Sequence, residues 1–334
     1  MKTSSVMKTK LDIFKLHFTT PLHIGNNRAD YGMSLRHIQS DTLYAAVTSC
    51  LDKSGRDIPV DGDLGCTISS LFPYRGNTLF FPKPAGAKLP SDIAPEHIKL
   101  FKKISWLDLP HFERAISGDN IYPNVDLDKY IDGEYLADNI KECRPEISSA
   151  VSPRAAVSRD PEKDTEPFYM DRLYFGEDSG FYFIAIGDTS YFEEGLALLK
   201  DEGIGTDRNV GNGFFTCEKD SITLCTPDNT TGLMSLSVFI PKRQEQLQSL
   251  LEGDGVSYDF SRRGGWITTP PFNTYRKKAV YGFLPASVFS GHSETESVHA
   301  EGAIVNLRPE IPDGPQHNIW RCGRSIFIPI ITSK

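Results

Sequence analysis

The stretch G-I-G-T-D-R-N-V-G-N-G-F-F, from Gly203 to Phe215, decides how the rest of the chain is interpreted. It holds four glycines around one arginine, Arg208. Glycine adopts positive φ without steric cost and has no side chain, so backbone N–H groups in such a run can converge on an anion. A guanidinium adds a permanently charged donor fork suited to phosphate. The stretch therefore favours an anion-contacting loop. A helix end with a turn is the alternative, and it would explain Gly203 alone.

The elements on either side show which kind of glycine loop this is. Residues 191–200 predict a short helix before it, and residues 214–224 predict a strand after it. A Rossmann or Walker loop needs the order strand, loop, helix, so that phosphate meets the N-terminus of the helix. Neither the spacing G-x-G-x-x-G nor a Gly-Lys-Ser/Thr ending is present. These observations argue against a nucleotide-using α/β enzyme, and no cofactor is predicted.

Composition and charge limit the class of protein. The chain has 334 residues, of which 39% are hydrophobic and 24% charged, and its net charge is −8. This length and composition suit two globular domains, whereas the net charge does not by itself indicate a nucleic-acid binder. Charge is a local property, however, and residues 260–293 hold basic but no acidic side chains. The basic residues there are Arg262, Arg263, Arg276, Lys277 and Lys278.

Cysteine spacing and the N-terminus bear on metal sites and location. The six cysteines include no C-x-x-C pair and have no histidine at ligand spacing, so neither a metal site nor a disulfide framework is predicted. The N-terminal residues are basic but lack the apolar region of a signal peptide, and no apolar run approaches the length of a membrane span. A cytoplasmic protein without a membrane partner is therefore expected.

The first two thirds of the chain predict a βαββαβ order with an insertion. Residues 11–18 read as a strand, and Ser40 is expected as the N-cap of an amphipathic helix. Residues 148–159 and 168–175 read as the two extended arms of a protruding hairpin. The run FYFIAI at 181–186 has the continuous apolar character of a buried strand.

These elements predict an α+β fold with two ferredoxin-like (RRM-like) domains in tandem. The first domain is expected over 1–226, with a hairpin insertion at about 144–175 and the glycine-rich loop at 203–215. The second is expected over 227–334 as a degenerate copy, in which only one helix, at 241–251, is visible. Its strands are predicted at 233–240, 256–260, 266–269, 278–284, 302–307 and 326–331.

Only a few polar residues are candidates for chemistry. His37 lies just ahead of the predicted helix, where it could reach a phosphate or act as a general base, with a surface or hydrogen-bonding histidine as the alternative. Asp41 could be a metal ligand, but the helix dipole already explains an acidic residue in the first turn.

The hairpin carries two arginines on its first arm. Arg154 and Arg159 are five residues apart, so on extended backbone they span roughly 16 Å. Arginines on such an arm are often only a solvated face. Their occurrence in one domain with a glycine loop favours single-stranded nucleic acid, which needs backbone contacts and a stacking platform. Trp266, Phe272 and Tyr275 could supply stacking, although core or interface positions are the alternative.

Several segments together resemble a known family. The glycine loop resembles that of the RAMP superfamily (repeat-associated mysterious proteins). Nearly the whole chain is similar to the fourth Csm subunit of type III-A CRISPR effector complexes. The segments that carry this resemblance are FTTPLHIG (18–25), HIQSDTLYAAV (37–47), VSPRAAVSRD (151–160), EPFYMDRLYF (166–175), RRGGWITTPPFNTYRKKAVYGFLPASVF (262–289) and HNIWRCGRSIFIPI (317–330).

The resemblance implies a non-catalytic RNA-binding subunit of an antiviral ribonucleoprotein complex. Such a subunit binds the 5′ handle of crRNA, docks the large polymerase-like Cas subunit, abuts the Csm backbone subunit, and meets target RNA only indirectly. The alternative is a RAMP endoribonuclease that processes precursor crRNA with His37 as general base. The RNA-binding residues expected from the resemblance are His37, Ser40, Arg154, Ala156, Val157, Arg159, Gly203, Gly205, Arg208, Gly211 and Gly213.

Overall fold

The computed structural model describes residues 6–25, 31–90, 93–123, 125–156, 160, 164–291 and 297–332. Its strands are β1 (Val6–Phe18), β2 (Cys66–Ile68), β3 (Phe72–Arg75), β4 (Thr78–Pro82), β5 (Trp106–Asp108), β6 (Ile131–Asp132), β7 (Tyr135–Leu136), β8 (Ile147–Ala156), β9 (Glu166–Phe175), β10 (Ser179–Gly187), β11 (Phe215–Pro227), β12 (Gly232–Ser235), β13 (Phe260–Arg263), β14 (Val280–Phe283), β15 (Val288–Ser290), β16 (His299–Asn306) and β17 (Trp320–Ile330). Its α-helices are α1 (Ser40–Lys53), α2 (Ile98–Lys103), α3 (Leu109–Ile116), α4 (Leu127–Tyr130), α5 (Ile140–Cys143), α6 (Ser190–Glu202) and α7 (Gln244–Leu251). The predicted α+β class is confirmed.

The larger sheet is built around β1. Its strand order is β11-β1-β10-β3-β4-β5-β7-β6, and β2 also pairs with β10. The pairings of β1 with β10 and β11, and of β10 with β2 and β3, are all antiparallel. Because α1 joins β1 to β2 and α6 joins β10 to β11, these elements have the split βαββαβ connectivity.

Helices α1 and α6 cover one face of this sheet. In α1 the buried residues Leu43, Val47 and Leu51 recur at helical spacing, which is why this segment forms an amphipathic helix. Gly195 of α6 lies so close to α1 that an added Cβ would be 2.7 Å from Val47 Cγ1. The two helices and the sheet enclose the first core, in which Phe14 stacks on Phe183 at 5.0 Å.

A second core fills the space between the larger sheet and a four-stranded sheet. The smaller sheet has the order β15-β12-β17-β16. Residues of β10 alternate between the two cores: Phe181 and Phe183 face the helices, whereas Tyr182 and Ile184 face the smaller sheet. Both faces of β10 are therefore covered, which explains its continuous apolar run.

The C-terminal half differs in detail from the sequence prediction. The helix expected over 241–251 begins at Gln244, and β13 covers 260–263 rather than 256–260. Residues 266–269 do not form a strand; only an isolated bridge joins Trp266 to Arg276. Strand β15 was not predicted, because three residues carry no periodicity and only pairing with β12 defines it. The description of this half as a degenerate ferredoxin-like domain stays a prediction.

Strands β8 and β9 form a separate two-stranded hairpin, which we call the thumb. Its register pairs Ile147 with Phe175 at the base and Ala156 with Glu166 toward the tip. A bridge between Leu22 and Leu173 fixes its base to the loop after β1. There the Asp171 carboxylate accepts hydrogen bonds from the Ser34 amide at 2.9 Å and from the Ser149 hydroxyl at 2.5 Å.

Candidate nucleic-acid interface

The glycine loop, residues 203–215, packs its backbone against the loop that follows β1. The Gly213 amide donates to the Pro21 carbonyl at 2.8 Å, and the Thr206 amide donates to the His23 carbonyl at 2.9 Å. Across the loop, the Ile204 amide donates to the Gly213 carbonyl at 2.9 Å. The loop is thus held at both of its ends.

Close contact with main-chain atoms of other residues explains why three of the four positions require glycine. Gly203, Gly205 and Gly213 all have positive φ, and a Cβ at each would collide with a main-chain oxygen. Gly211 also has positive φ, at +89°, but its missing Cβ would meet nothing within 4 Å. The glycines therefore serve first to let two backbone segments approach each other.

Most amides of the glycine loop are used inside the protein, which corrects the expectation that the whole run converges on an anion. In the part of the chain that the structure describes, the amides of Gly205, Asp207, Arg208 and Asn209 have no acceptor. These four residues also line an open cleft of about 490 Å³. An anion contacted by backbone N–H groups would therefore bind at 205–209, a shorter segment than the sequence suggested.

The thumb meets the glycine loop beside this cleft. The Arg154 guanidinium lies 3.8 Å from the Asp207 carboxylate, and the Arg208 guanidinium lies 3.8 Å from Glu202. Arg208 also donates to the Gly203 carbonyl at 3.5 Å. About a third of each arginine side chain is exposed. Long, partly exposed ion pairs of this kind contribute little stability, so a phosphate could replace them at small cost.

Some of the predicted contacts lie elsewhere or beyond the described residues. Val157 and Arg159 are outside the described residues, and Ala156 is the last residue of β8. His37 is half-buried in a cleft of about 210 Å³ with Trp106 and Tyr135. Burial and the nearby positive charge of Arg263 lower the pKa of His37, so its imidazole is neutral near pH 7.

Ser40 is not the N-cap of α1. The helix begins at Ser40, Gln39 precedes it, and no side chain caps this end. The buried Ser40 hydroxyl instead accepts a hydrogen bond from the Val238 amide at 2.9 Å. Tertiary contact with the C-terminal half has overridden the local preference of serine for the N-cap, and the hydroxyl is already engaged.

The sequence interpretation missed the role of Asp41, which lies at the centre of a buried ion cluster. Its carboxylate accepts from Arg263 Nε at 2.8 Å and from Arg263 Nη2 at 2.7 Å, and it also pairs with Arg321. We call these three residues the Asp41 cluster. Asp41 is fully buried, and the two arginines come from β13 and β17, so the cluster joins α1 to the C-terminal half. The helix dipole is therefore only a minor reason for an aspartate at position 41.

The pKa of Asp41 follows from this setting. Burial alone would raise it, but the positive charges of Arg321 and Arg263 and their hydrogen bonds outweigh burial and lower the pKa. A carboxyl whose folded pKa is lowered contributes stability above its unfolded pKa and loses that contribution as pH falls through the folded value.

We therefore expect the stability difference between wild type and Asp41→Asn to be full at neutral pH and to shrink once pH falls below about 4. Urea unfolding of both proteins at several pH values between 7 and 3 would measure it. A difference that grows on acidification would contradict the lowered pKa.

Within the described residues, no group of three or more metal-ligating side chains occurs, and no helix is long and apolar enough to cross a membrane. In the basic segment, the Arg276 guanidinium lies 4.9 Å from the centre of the Trp266 ring. The sequence interpretation missed three exposed aromatic side chains within or just before this segment, Tyr258, Phe260 and Tyr281, which are 44%, 54% and 62% exposed.

Comparisons with known proteins add sequence and fold relationships. Residues 228–330 match the family model described as the CRISPR Csm4 C-terminal domain. The chain is 26% identical over 294 residues to a protein of Thermococcus onnurineus (strain NA1) named CRISPR system Cms protein Csm4, covering 83% of this chain and 93% of the relative.

Two solved structures have a similar fold. One is the Csm1–Csm4 cassette in complex with cA4, with a TM-score of 0.58, 18% identity, and coverage of 98% of this chain and 100% of the other. The other is the Csm3–Csm4 subcomplex in the type III-A CRISPR-Cas interference complex, with a TM-score of 0.58, 17% identity, and coverage of 96% and 99%. At these identities the matches establish the fold.

Proposed function

We propose that this chain, a member of the Csm4 family of type III CRISPR-Cas subunits, binds the 5′ handle of crRNA between its thumb and its glycine loop. The observation that carries the proposal is the ion pair of Arg154 with Asp207 beside the amides of Gly205, Asp207, Arg208 and Asn209, which have no acceptor among the described residues. Backbone donors and two partly exposed arginines are the groups that bind RNA phosphates without reading sequence.

Local charge explains why binding would need partners. Besides Arg208, the cleft at the glycine loop is lined by three carboxylates, those of Asp201, Glu202 and Asp207. Together with the net charge of −8, these acids weaken the attraction of the isolated subunit for RNA. We infer that neighbouring subunits complete the binding channel in an assembled type III-A complex.

The solved relatives support a proposal about the protein partners. The similar proteins were solved with Csm1 and with Csm3. We infer that this chain likewise bridges the large polymerase-like subunit and the backbone subunit, and that it meets target RNA only through the guide.

The role we propose is positioning, without chemistry on the RNA. His37 has no hydrogen-bond partner within the described residues that would orient it as a general base. Repeat RNA incubated with the purified protein without metal should stay intact for wild type and for His37→Ala alike. Specific cleavage that disappears in His37→Ala would establish the endoribonuclease alternative.

The direct test is to purify the complex after co-expression with its neighbouring genes and a CRISPR array, and to sequence the RNA that copurifies. A short RNA population with one shared 5′ end is expected. RNA with random 5′ ends, or none, would contradict handle binding.

Single substitutions test the proposed contacts. Arg154→Gln and Arg208→Gln should each weaken RNA binding by the complex, and each lost phosphate contact should reduce the slope of log K against log salt by about 0.7. Salt titrations of reconstituted complexes would measure this. Arg114→Gln is the matched control, because Arg114 is an exposed arginine on α3 that caps a local carbonyl, that of Asn120. Slopes that stay at the wild-type value in both test variants would refute the assignment.

A further inference from the structure

The Asp41 cluster has an excess of positive charge. Its single carboxylate is shared by the guanidiniums of Arg263 and Arg321, whose side chains are 19% and 9% exposed. The positive charge of Arg321 and the negative charge of Asp41 both influence the pKa of the nearby Lys277 ammonium, in opposite directions. No carboxylate within the described residues forms an ion pair with Lys277. The half-buried Lys277 therefore adds a third cation to a region in which two guanidiniums already share the one buried carboxylate.

Such an excess is costly unless an anion offsets it. Removing an ammonium from water without a paired charge is strongly unfavourable. Burial, together with the nearby positive charge of Arg321, lowers the pKa of Lys277 to about 8, although Asp41 opposes this. The ammonium is consequently still mostly protonated near pH 7. The fold thus holds a cation that is short of a counter-charge.

Lys277 also lines a cavity between the two halves of the protein. The cavity has a volume of about 290 Å³ and lies between the outer side of α1 and residues 267–269 and 317–320. Ser49 and Thr269, which carry hydroxyl groups, line it, as do the aromatic residues His317 and Trp320. Its wall also includes the exposed carboxylates of Asp52 and Asp57. The cavity therefore combines a half-buried cation, two exposed carboxylates, neutral hydrogen-bonding groups and aromatic surface.

We propose that this cavity, the interdomain pocket, binds a phosphate group, with Lys277 as its cationic ligand. A phosphate offers Lys277 the paired negative charge that no ion pair among the described residues provides, and it accepts hydrogen bonds from an ammonium and from hydroxyls. The His317 and Trp320 rings offer a surface for a base attached to that phosphate. The ligand is a free nucleotide or a nucleotide within RNA, which share this chemistry. The proposal does not depend on handle binding at the glycine loop.

Binding would be measured by isothermal titration of the full-length protein with pyrophosphate, with ATP and with a short single-stranded RNA. Wild type is expected to bind at least one of these probes. Lys277→Met, which keeps the apolar stem but removes the charge, should weaken that binding at least about tenfold, as expected for loss of a charge-assisted contact. Lys278→Met is the matched control, because Lys278 is the next residue but pairs at the surface with Glu310. It should bind as wild type does.

A second variant keeps the test independent of how well Lys277→Met folds. Ser49→Glu places a carboxylate on the α1 wall of the pocket, where it would neutralise Lys277 and compete with the ligand. It should abolish binding and raise the melting temperature of the ligand-free protein.

The probes also distinguish the two ligand sources. Lys277-dependent binding of ATP or pyrophosphate assigns the pocket to a free nucleotide, and Lys277-dependent binding of RNA alone assigns it to a nucleotide within RNA. The proposal fails if wild type binds none of the probes, or if Lys277→Met and Ser49→Glu bind them all as wild type does. If Arg154→Gln loses RNA but still binds ATP as wild type does, the result bears on the function proposed for the thumb and glycine loop and not on the interdomain pocket.

Discussion

Replacing Asp41 with asparagine should lower the free energy of unfolding by about 3–5 kcal/mol, because it leaves two guanidiniums in a buried region without their shared counter-charge. The carboxylate accepts hydrogen bonds from Arg263 and Arg321 and is fully buried. An amide cannot serve both guanidiniums, since its NH₂ group would face a cation. Urea unfolding at pH 7, followed by circular dichroism and by tryptophan fluorescence, would measure the loss.

Asp63→Asn is the matched control for this measurement. Asp63 also pairs with an arginine of β17, Arg324, but its side chain is 36% exposed. Ion pairs with this exposure contribute about 0–1 kcal/mol, so the control should change little. If Asp41→Asn were no more destabilising than Asp63→Asn, the Asp41 cluster would not be a main stabilising contact between the two halves.

The effect of Asp41→Asn should also be visible in how the halves unfold. The two arginines reach α1 from strands of the C-terminal half, and Ser40 accepts a hydrogen bond from Val238 beside them. Losing the cluster should weaken this junction more than either core. We therefore expect the unfolding curves from the two probes to separate in the variant.

The sequence predicted those parts of the fold that depend on local pattern. The run at 181–186 was predicted as a buried strand, and β10 covers it with both faces packed. The apolar spacing from Leu43 to Leu51 likewise predicted α1. In each case the pattern of apolar residues within one segment shows how many of its faces are buried: a continuous run indicates two buried faces, and helical spacing indicates one.

Contacts between distant segments could not be predicted in this way. Asp41 is separated by 222 residues from Arg263 and by 280 residues from Arg321, so nothing near it in sequence indicated an ion cluster. The dipole of α1 was a sufficient local explanation for an acidic residue in the first turn, so there was no reason from sequence to expect a tertiary ion pair at Asp41. Ser40 was misjudged for the same reason, since its partner Val238 lies in the other half.

The glycine loop was recognised from sequence, but the reason for its glycines was only partly correct. The glycine content indicated free amides along the whole run. A sequence shows where glycines permit another group to approach the backbone closely, but it does not show whether that group is a ligand or another segment of the same chain. In the structure, acceptors in the loop after β1 and within the glycine loop itself take up most of the amides, including that of Thr206. Within the described residues, only the amides of Gly205, Asp207, Arg208 and Asn209 have no acceptor. The candidate site is consequently smaller than the motif.

Gly213→Ala should be far more damaging than Gly211→Ala, although both glycines have positive φ. A Cβ at Gly213 would overlap the Ile204 carbonyl, whereas one at Gly211 would meet nothing within 4 Å. Left-handed backbone alone costs alanine about 1–2 kcal/mol, and overpacking adds about 1–3 kcal/mol. We therefore expect a loss of about 2–5 kcal/mol for Gly213→Ala and about 1–2 kcal/mol for Gly211→Ala.

The same pair of variants tests the proposed role of the glycine loop in RNA binding. Moving Gly213 would break its hydrogen bonds to Pro21 and Ile204 and so displace the amides of residues 205–209. Complexes that contain Gly213→Ala should retain much less guide RNA per assembled particle, measured by absorbance ratio and RNA sequencing, while Gly211→Ala should stay near wild type. Equal retention by the two variants, with Gly213→Ala folded and assembled, would show that the loop backbone does not hold the guide. Reduced retention in Gly213→Ala alone would tie guide binding to the loop conformation, because Gly211→Ala changes the same motif without the backbone collision.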